Sequence, residues 1–334
     1  MLSTFLDKAN GLLDRRFLVA YWFPTLIASI AALLLRGAVY GFSATWQWWQ
    51  RLGPAQGQEK GEYAQIWVLL GVLLLVTLLA YLLQAFTRAL VRVYEGCWPQ
   101  WLQRWTMKQV ERRWEQWRRE RTKAAQSDFS RYTIVQDRLH YEYPMQAGRL
   151  LSTRLGNVLA STEDYPSVAY GMDVVFWRRR LFPLLPDTIR KEIEDALTSL
   201  LALLNFATMV GLASADGGLY ILRVKAGGWW WPLIVLVGGL LLAWLSYQGA
   251  VALAREYGQR LRAAVDLYRF DLLKALHQTL PKTPHEERLL WEQLEAWLYN
   301  QDRGAVQRLS YDHGDMGRKV KSKESHQTMK SKTV

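Results

Sequence analysis

Apolar residues along this chain gather in four long runs, paired two and two around a polar block from Tyr94 to Pro186. Each run approaches the ~20 residues that an α-helix needs to cross a bilayer. The first occupies 17–35, with Pro24 near its start, where a helix tolerates proline best. It is longer than the apolar region of a cleaved signal and no small-x-small site follows it, so it is expected to be a retained span. The second, 64–86, is almost wholly apolar apart from Thr77 and Gln84, and its helix should run on through Arg88 and Arg92 to a break at Glu95–Pro99. The third, 193–213, contains Asn205, and the fourth, 229–252, opens on Trp229, Trp230, Trp231 and Pro232 and contains Gln248. Segments 36–63 and 214–228 are then short loops, the second rich in glycine.

Helical periodicity marks the polar parts as well. Residues 1–16 form an amphipathic lead-in with Phe5, Leu6, Leu12 and Leu13 on one side. Within 87–192, Trp98, Trp101, Leu102 and Trp105 make one helical stripe, and Met107, Val110, Trp114 and Trp117 make another about half a turn away. The first stripe suits a membrane interface while the second packs elsewhere; a charged helix packed on its own bundle is the equal alternative. Tyr132–Pro144 is an aromatic stretch that the pattern does not place. Gly148 to Thr162 has helical spacing, and Glu163–Pro166 and Tyr170–Asp173 punctuate the chain after it. Asp187 is a good N-cap for the helix that becomes the third span. Across 253–300, Leu261, Val265, Tyr268, Leu272 and Leu276 recur at helical spacing, and Thr283-Pro284-His285-Glu286 is a capping box that opens a last helix. Segment 301–334 is a polar, Lys-rich tail expected to be disordered.

Composition sharpens this picture. Seventeen tryptophans exceed what a core of this size uses, and Trp is favoured where an apolar ring and an N–H straddle a membrane boundary. The formal charge of +12 would suggest nucleic acid in a soluble chain. Here the cations crowd the lead-in, the central block and the C-terminal part and are scarce in the two short loops. That asymmetry points to anionic lipids rather than nucleic acid, and places both termini and the polar centre in the cytoplasm. A single cysteine, Cys97, excludes an intrachain disulfide and a multi-cysteine zinc site.

Few residues suggest chemistry. His140 with Glu163, Asp164 and Asp173 is the one acid/base or metal-like group, but no metal-ligand spacing supports it, and helix caps or arginine pairs explain its carboxylates better. Asn205, Gln84 and Gln248 lie at or near membrane depth, where an amide more often bonds between helices than lines a conduction path. Arg178, Arg179 and Arg180 are candidate contacts for anionic lipid head groups, with a plain positive-inside anchor as the bland alternative. No cofactor, metal or catalytic residue is expected.

Tyr94-Glu95-Gly96-Cys97-Trp98-Pro99, Arg154-Leu155-Gly156-Asn157-Val158-Leu159, Glu163-Asp164-Tyr165-Pro166, Tyr170-Gly171-Met172-Asp173 and Leu181-Phe182-Pro183-Leu184-Leu185-Pro186 together resemble an uncharacterised family of bacterial four-span membrane proteins. The resemblance covers about Phe17 to Ala252; it implies the bacterial cytoplasmic (inner) membrane and brings no activity. The expected fold is all-α: a polytopic membrane protein with two transmembrane helical hairpins and a cytoplasmic helical domain. The expected function is a non-enzymatic scaffold or sensor that binds a cytoplasmic protein partner or forms a homo-oligomer. An oligomeric ion channel is the first alternative, and a membrane-bound enzyme using Asp164, Asp173 and His140 is the second.

Overall fold

The computed structural model describes residues 14–40, 63–224, 230–299, 301, 304, 309 and 311–312. Among them the regular elements are helices, and the one β-bridge, Gln278 with Tyr311, is isolated. Helix α1 starts at Arg15–Phe17, passes through a π-helical stretch at Leu18–Trp22 and continues as Phe23–Tyr40. The others are α2 (Tyr63–Glu95), α3 (Gln100–Ser127), α4 (Phe129–Glu142), α5 (Arg154–Tyr170), α6 (Val174–Leu181), α7 (Asp187–Val224), α8 (Trp231–Ala275) and α9 (Pro284–Leu298). Four of them, α1, α2, α7 and α8, are long and apolar enough to cross a membrane, as a multi-pass membrane protein requires. Their outer faces stay apolar and exposed, with Leu74 at 75 %.

Polar ties set how these four helices run. Helix α7 is antiparallel to α8: Ser246 Oγ donates to Leu203 O at 2.7 Å, and Arg260 Nη1 donates to Glu192 O at 2.8 Å. Helix α1 runs parallel to α7. Arg16 meets Glu194 at 2.5 Å near one end, Asn205 Nδ2 donates to Ala20 O at 2.8 Å between, and Arg36 meets Asp216 at 3.1 Å near the other. Trp22 Nε1 donates to Thr77 Oγ1 at 3.2 Å and Phe17 lies 4.5 Å from the ring of Tyr81, so α2 returns antiparallel to α1. Glycine lets the backbones approach closely, as small residues do between membrane helices. A Cβ on Gly217 would overlap the Leu35 side chain, and one on Gly239 would overlap Ser214.

Helices α7 and α8 have 38 and 45 residues. At 1.5 Å per residue they are about 57 and 67 Å long, roughly twice a hydrocarbon core. Their surplus length builds a core with the shorter helices. Trp177, Leu181, Ile193, Leu261, Val265, Leu273, Trp291 and Leu294 are buried together there. A smaller cluster, Leu155, Val158, Leu200, Leu204, Ala250, Val251 and Ala254, adjoins the apolar ends.

Several expectations change. Ser214–Val224 is helix rather than loop, because Gly217 and Gly218 pack α7 against its neighbours instead of breaking it. Arg36 belongs to α1, held in register by Asp216. Tyr132–Pro144 is largely helix α4, capped by Asp128, whose side chain accepts from Arg131 N at 3.0 Å. Glu163–Pro166 lies inside α5, which ends only at left-handed Gly171 (φ +78°). Asp187 is the first residue of α7 and pairs with Arg190. Part of the tail is ordered: Leu309 packs on the main core, and Asp312 N donates to His277 O at 2.7 Å. The capping box before α9 forms, with Thr283 Oγ1 accepting from Glu286 N and Glu286 accepting from Lys282 N. The lead-in 1–13, segment 41–62, residues 225–229 and tail residues 313–334 lie outside the described residues.

Gly238 and Gly239 give a paired test. A Cβ at Gly238 meets nothing, so Gly238→Ala should leave stability unchanged or raise it by up to ~1 kcal/mol through helix propensity. Gly239→Ala should instead cost about 1–3 kcal/mol by overpacking against Ser214. Thermal unfolding in detergent reads both; equal midpoints would mean that α7 and α8 do not touch there.

Candidate functional site

The polar residues of this chain converge where α4, α5 and α8 meet beyond the apolar runs. Local sequence puts them there. Thr153 caps α5, accepting from Gly156 N at 3.0 Å and donating to Tyr94 O at 2.6 Å, which ties the start of α5 to the end of α2. Gly156 lies directly on Glu95 O, and a side chain there would strike that carbonyl. Asn157 holds the preceding turn through Leu151 N, Leu151 O and Thr153 O. Helix α4 then arrives with its last turn facing α5 and α8.

Glu142 ends α4 with its side chain only 7 % exposed, and three arginines surround it. Arg255 Nη2 lies at 2.8 Å, and Arg138 Nε and Arg154 Nε each at 3.3 Å. Two turns further along α8, Arg262 is 5 % exposed and, among the described residues, has no carboxylate bonded to it. Its Nη2 donates to His140 O at 3.0 Å, to Ser161 O at 2.8 Å and to Ser161 Oγ at 2.7 Å. Its guanidinium carbon lies 5.1 Å from the ring of Tyr141 and 5.0 Å from that of Tyr165. Nε and Nη1 are buried without a hydrogen-bond partner among the described residues. Asp266, one turn on, accepts from Tyr165 (3.1 Å) and Tyr170 (2.9 Å), and Arg269 reaches Glu287 on α9 at 2.8 Å. The ladder Arg255, Arg262, Arg269 thus ties α4, α5 and α9 to one face of α8.

Burial and the Arg262 charge hold the His140 imidazole below its usual value of 6.5. Its ring meets Tyr141 and Tyr165 edge-on. Burial also raises the Tyr165 and Tyr170 phenols. Such a constellation neutralises carboxylates and stacks guanidinium on aromatics; what it does physically is clamp helices together.

Of the residues singled out in the sequence, His140 and Gln248 border this cluster and the others lie apart from it. Asp164 is buried on Arg149 (2.8 Å) and on Met145 N (3.0 Å). Asp173 caps α6 through Val175 N at 2.9 Å. His140 touches Arg262 only through its backbone carbonyl, and burial raises the Glu163 carboxyl above its usual value. Among the described residues, no three His, Cys, Asp or Glu side chains gather as a metal site. Asn205 is buried on Ala20 O; Gln248 accepts from Arg154 Nη1 at 3.3 Å; Gln84 is exposed on α2. Arg178 donates to Tyr257 OH at 3.0 Å, Arg180 folds back 4.0 Å over Phe176, and Arg179 is exposed. Glu142, Arg255, Arg262, Asp266 and Arg269 escaped the sequence reading. Their signal was the seven-residue recurrence of arginine along α8, which keeps all three on one face.

Comparison with protein-family models, with curated proteins and with solved structures finds no match for this chain.

Two substitutions probe the electrostatics. Glu142→Gln leaves three arginines facing a neutral amide. Removing one partner of a fully buried pair costs about 3–5 kcal/mol, but these arginines are a third or more exposed, so a loss of about 1–3 kcal/mol is expected. An unfolding midpoint unchanged from the parent would refute the cluster's structural role. Glu295 Oε1 accepts from Asp173 N at 2.6 Å and Trp177 Nε1 at 2.7 Å, and burial raises its carboxyl above the usual 4.5 despite those bonds. A raised carboxyl contributes stability at low pH that is lost as pH climbs through the folded value. Glu295→Gln keeps an acceptor without the charge, so its stability relative to the parent should improve from pH 4.5 to neutrality. Glu295→Ala strands both donors and should cost about 1–3 kcal/mol at either pH.

Proposed function

We propose that this chain is a membrane-anchored scaffold or sensor that works through binding rather than covalent chemistry. In this reading α1/α2 and α7/α8 are two transmembrane hairpins. Helices α3–α6 and α9, with the ends of α7 and α8, form a cytoplasmic domain for a protein partner or a second copy. Both termini lie on that side of a bacterial cytoplasmic membrane. The observation that carries the reading is continuity. Helices α7 and α8 pass unbroken from their apolar stretches into the core that holds Trp177 and Trp291, so a shift of one against the other in the bilayer displaces the domain directly. The crowding of cations around that domain supports the orientation.

Gln84 favours a second reading, an oligomeric channel. It is an amide exposed on α2 beside exposed Tyr81, Leu82 and Phe86, a position better matched by another protein surface than by lipid tails. Native mass spectrometry of the detergent-purified protein separates the two. A monomer, alone or with a co-purified protein, accords with the scaffold, whereas a discrete closed ring that conducts ions in liposomes replaces it with the channel. Cys97, the single cysteine and exposed, reports orientation in the same preparation series. A membrane-impermeant maleimide should label it only after cells are opened; labelling of intact cells would invert the topology.

A further inference from the structure

Helix α3 carries two unlike faces. One packs on α4: Trp114 is buried with Arg118 stacked 4.6 Å over it, and Trp117 lies under Arg138 at 4.4 Å. The antiparallel pairing is pinned further out by Arg131 on Glu120 and by Arg121 on Gln136. At 3.6 residues per turn, the opposite face presents Trp101, Arg104, Trp105, Lys108, Arg112 and Arg119. All six are exposed, and the two tryptophans reach 73 % and 65 %. One carboxylate, Glu115, shares this face and is matched by Arg119 at 3.3 Å, which leaves the face cationic.

The position of α3 relative to the apolar helices narrows what can cover that face. At its start, Trp98 Nε1 donates to Val93 O at 2.8 Å, and neighbouring Tyr94 stacks on Tyr247 of α8. Thirteen residues on, about 20 Å along the helix, the charges of Arg113 and Arg154 both act on Tyr143. Arg154 in turn donates to Gln248 of α8. The start of α3 therefore sits level with Tyr247, where the apolar run of α8 ends, whereas Arg113 lies by the end of α4, which Glu142 ties to Arg255 further along α8. The break at Gly96 (φ +92°), with Trp98 folded back on Val93 O, separates α3 from α2 right at that level.

We infer that the Trp101–Arg119 face of α3 lies in the head-group layer beside α2 and binds anionic phospholipid. The indoles take the boundary with the acyl chains, and Arg104, Lys108 and Arg112 take the phosphates. Charge complementarity chooses lipid over an apolar partner, and the start of α3 at the end of α2, with Trp101, Arg104 and Trp105 in its first two turns, chooses it over a distant acidic protein. This inference rests on the membrane reading above and gives the domain a second, lipid-dependent attachment.

Spin labels on the full-length protein test it. In a Cys97→Ser background, single cysteines replace Gln109 and Gln116, neutral exposed positions beside this face, with Leu74→Cys on α2 as the reference for the span. The labelled proteins are placed in detergent, in phosphatidylcholine vesicles, and in vesicles that also contain phosphatidylglycerol. Collision with a water-soluble nickel complex should fall about threefold or more at 109 and 116 when phosphatidylglycerol is present. Adding Lys108→Glu and Arg112→Glu should restore it. Labels at 109 and 116 that stay accessible while 74 is shielded overturn this inference alone. Shielding that is equal whatever the lipid charge, or that persists in detergent, removes the anionic-lipid assignment and points to protein on this face. An accessible label at 74 in vesicles overturns the membrane reading itself.

Discussion

A charge removed from water is the constraint on which this structure depends. Arg262 keeps its cation in a nearly closed setting in which, among the described residues, no carboxylate bonds to it and two of its nitrogens find no acceptor. Burial of that kind is costly unless the geometry around the charge is fixed. The fixing comes from two helices at once: a backbone carbonyl and the Tyr141 ring of α4, and the carbonyl and hydroxyl of Ser161 with the Tyr165 ring of α5. Glu142, beside the cluster, gathers the excess positive charge of Arg138, Arg154 and Arg255 and so keeps α4 at the same junction. Specificity of arrangement, more than net stability, is what such a cluster supplies.

The apolar half of the molecule uses the opposite economy. Its contacts are small residues and single hydrogen bonds: Ser246 to Leu203, Asn205 to Ala20, Trp22 to Thr77. Lipid tails compete evenly with Leu and Val for apolar surface, so close approach and a few polar ties must decide the arrangement of helices there. The two regimes meet along α7 and α8. One end of each helix is placed by shape and the other by charge, and neither helix has a break to decouple them.

Much of this organisation is legible in the sequence. The four apolar runs are visible because a bilayer-length helix needs little but length and hydropathy, and the α9 capping box because its residues are local. The two tryptophan stripes of α3 follow from period alone, and they do face opposite ways. What stays hidden depends on partners far along the chain. Gly217 and Gly218 look like a loop until Leu35 and Pro232 are set against them. Glu163–Pro166 looks like punctuation until α5 is held on both sides, by α2 and by Arg262. The cluster itself is hidden for another reason: an arginine on a charged helix is ordinarily solvated, and only its seven-residue recurrence hints that one face of α8 collects cations.

The hydrogen bond from Asn205 to the widened turn at Ala20 joins residues 185 apart in sequence. On the membrane reading, α1 is synthesised and inserted long before its partner exists. The whole polar block must emerge and remain on one side of the bilayer before α7 can bring the amide to that carbonyl. The first hairpin is therefore a waiting intermediate during biogenesis, held by contacts between α1 and α2 that include Trp22–Thr77 and Phe17–Tyr81. An error in seating α7 would be sensed at α1, the helix laid down before the polar block.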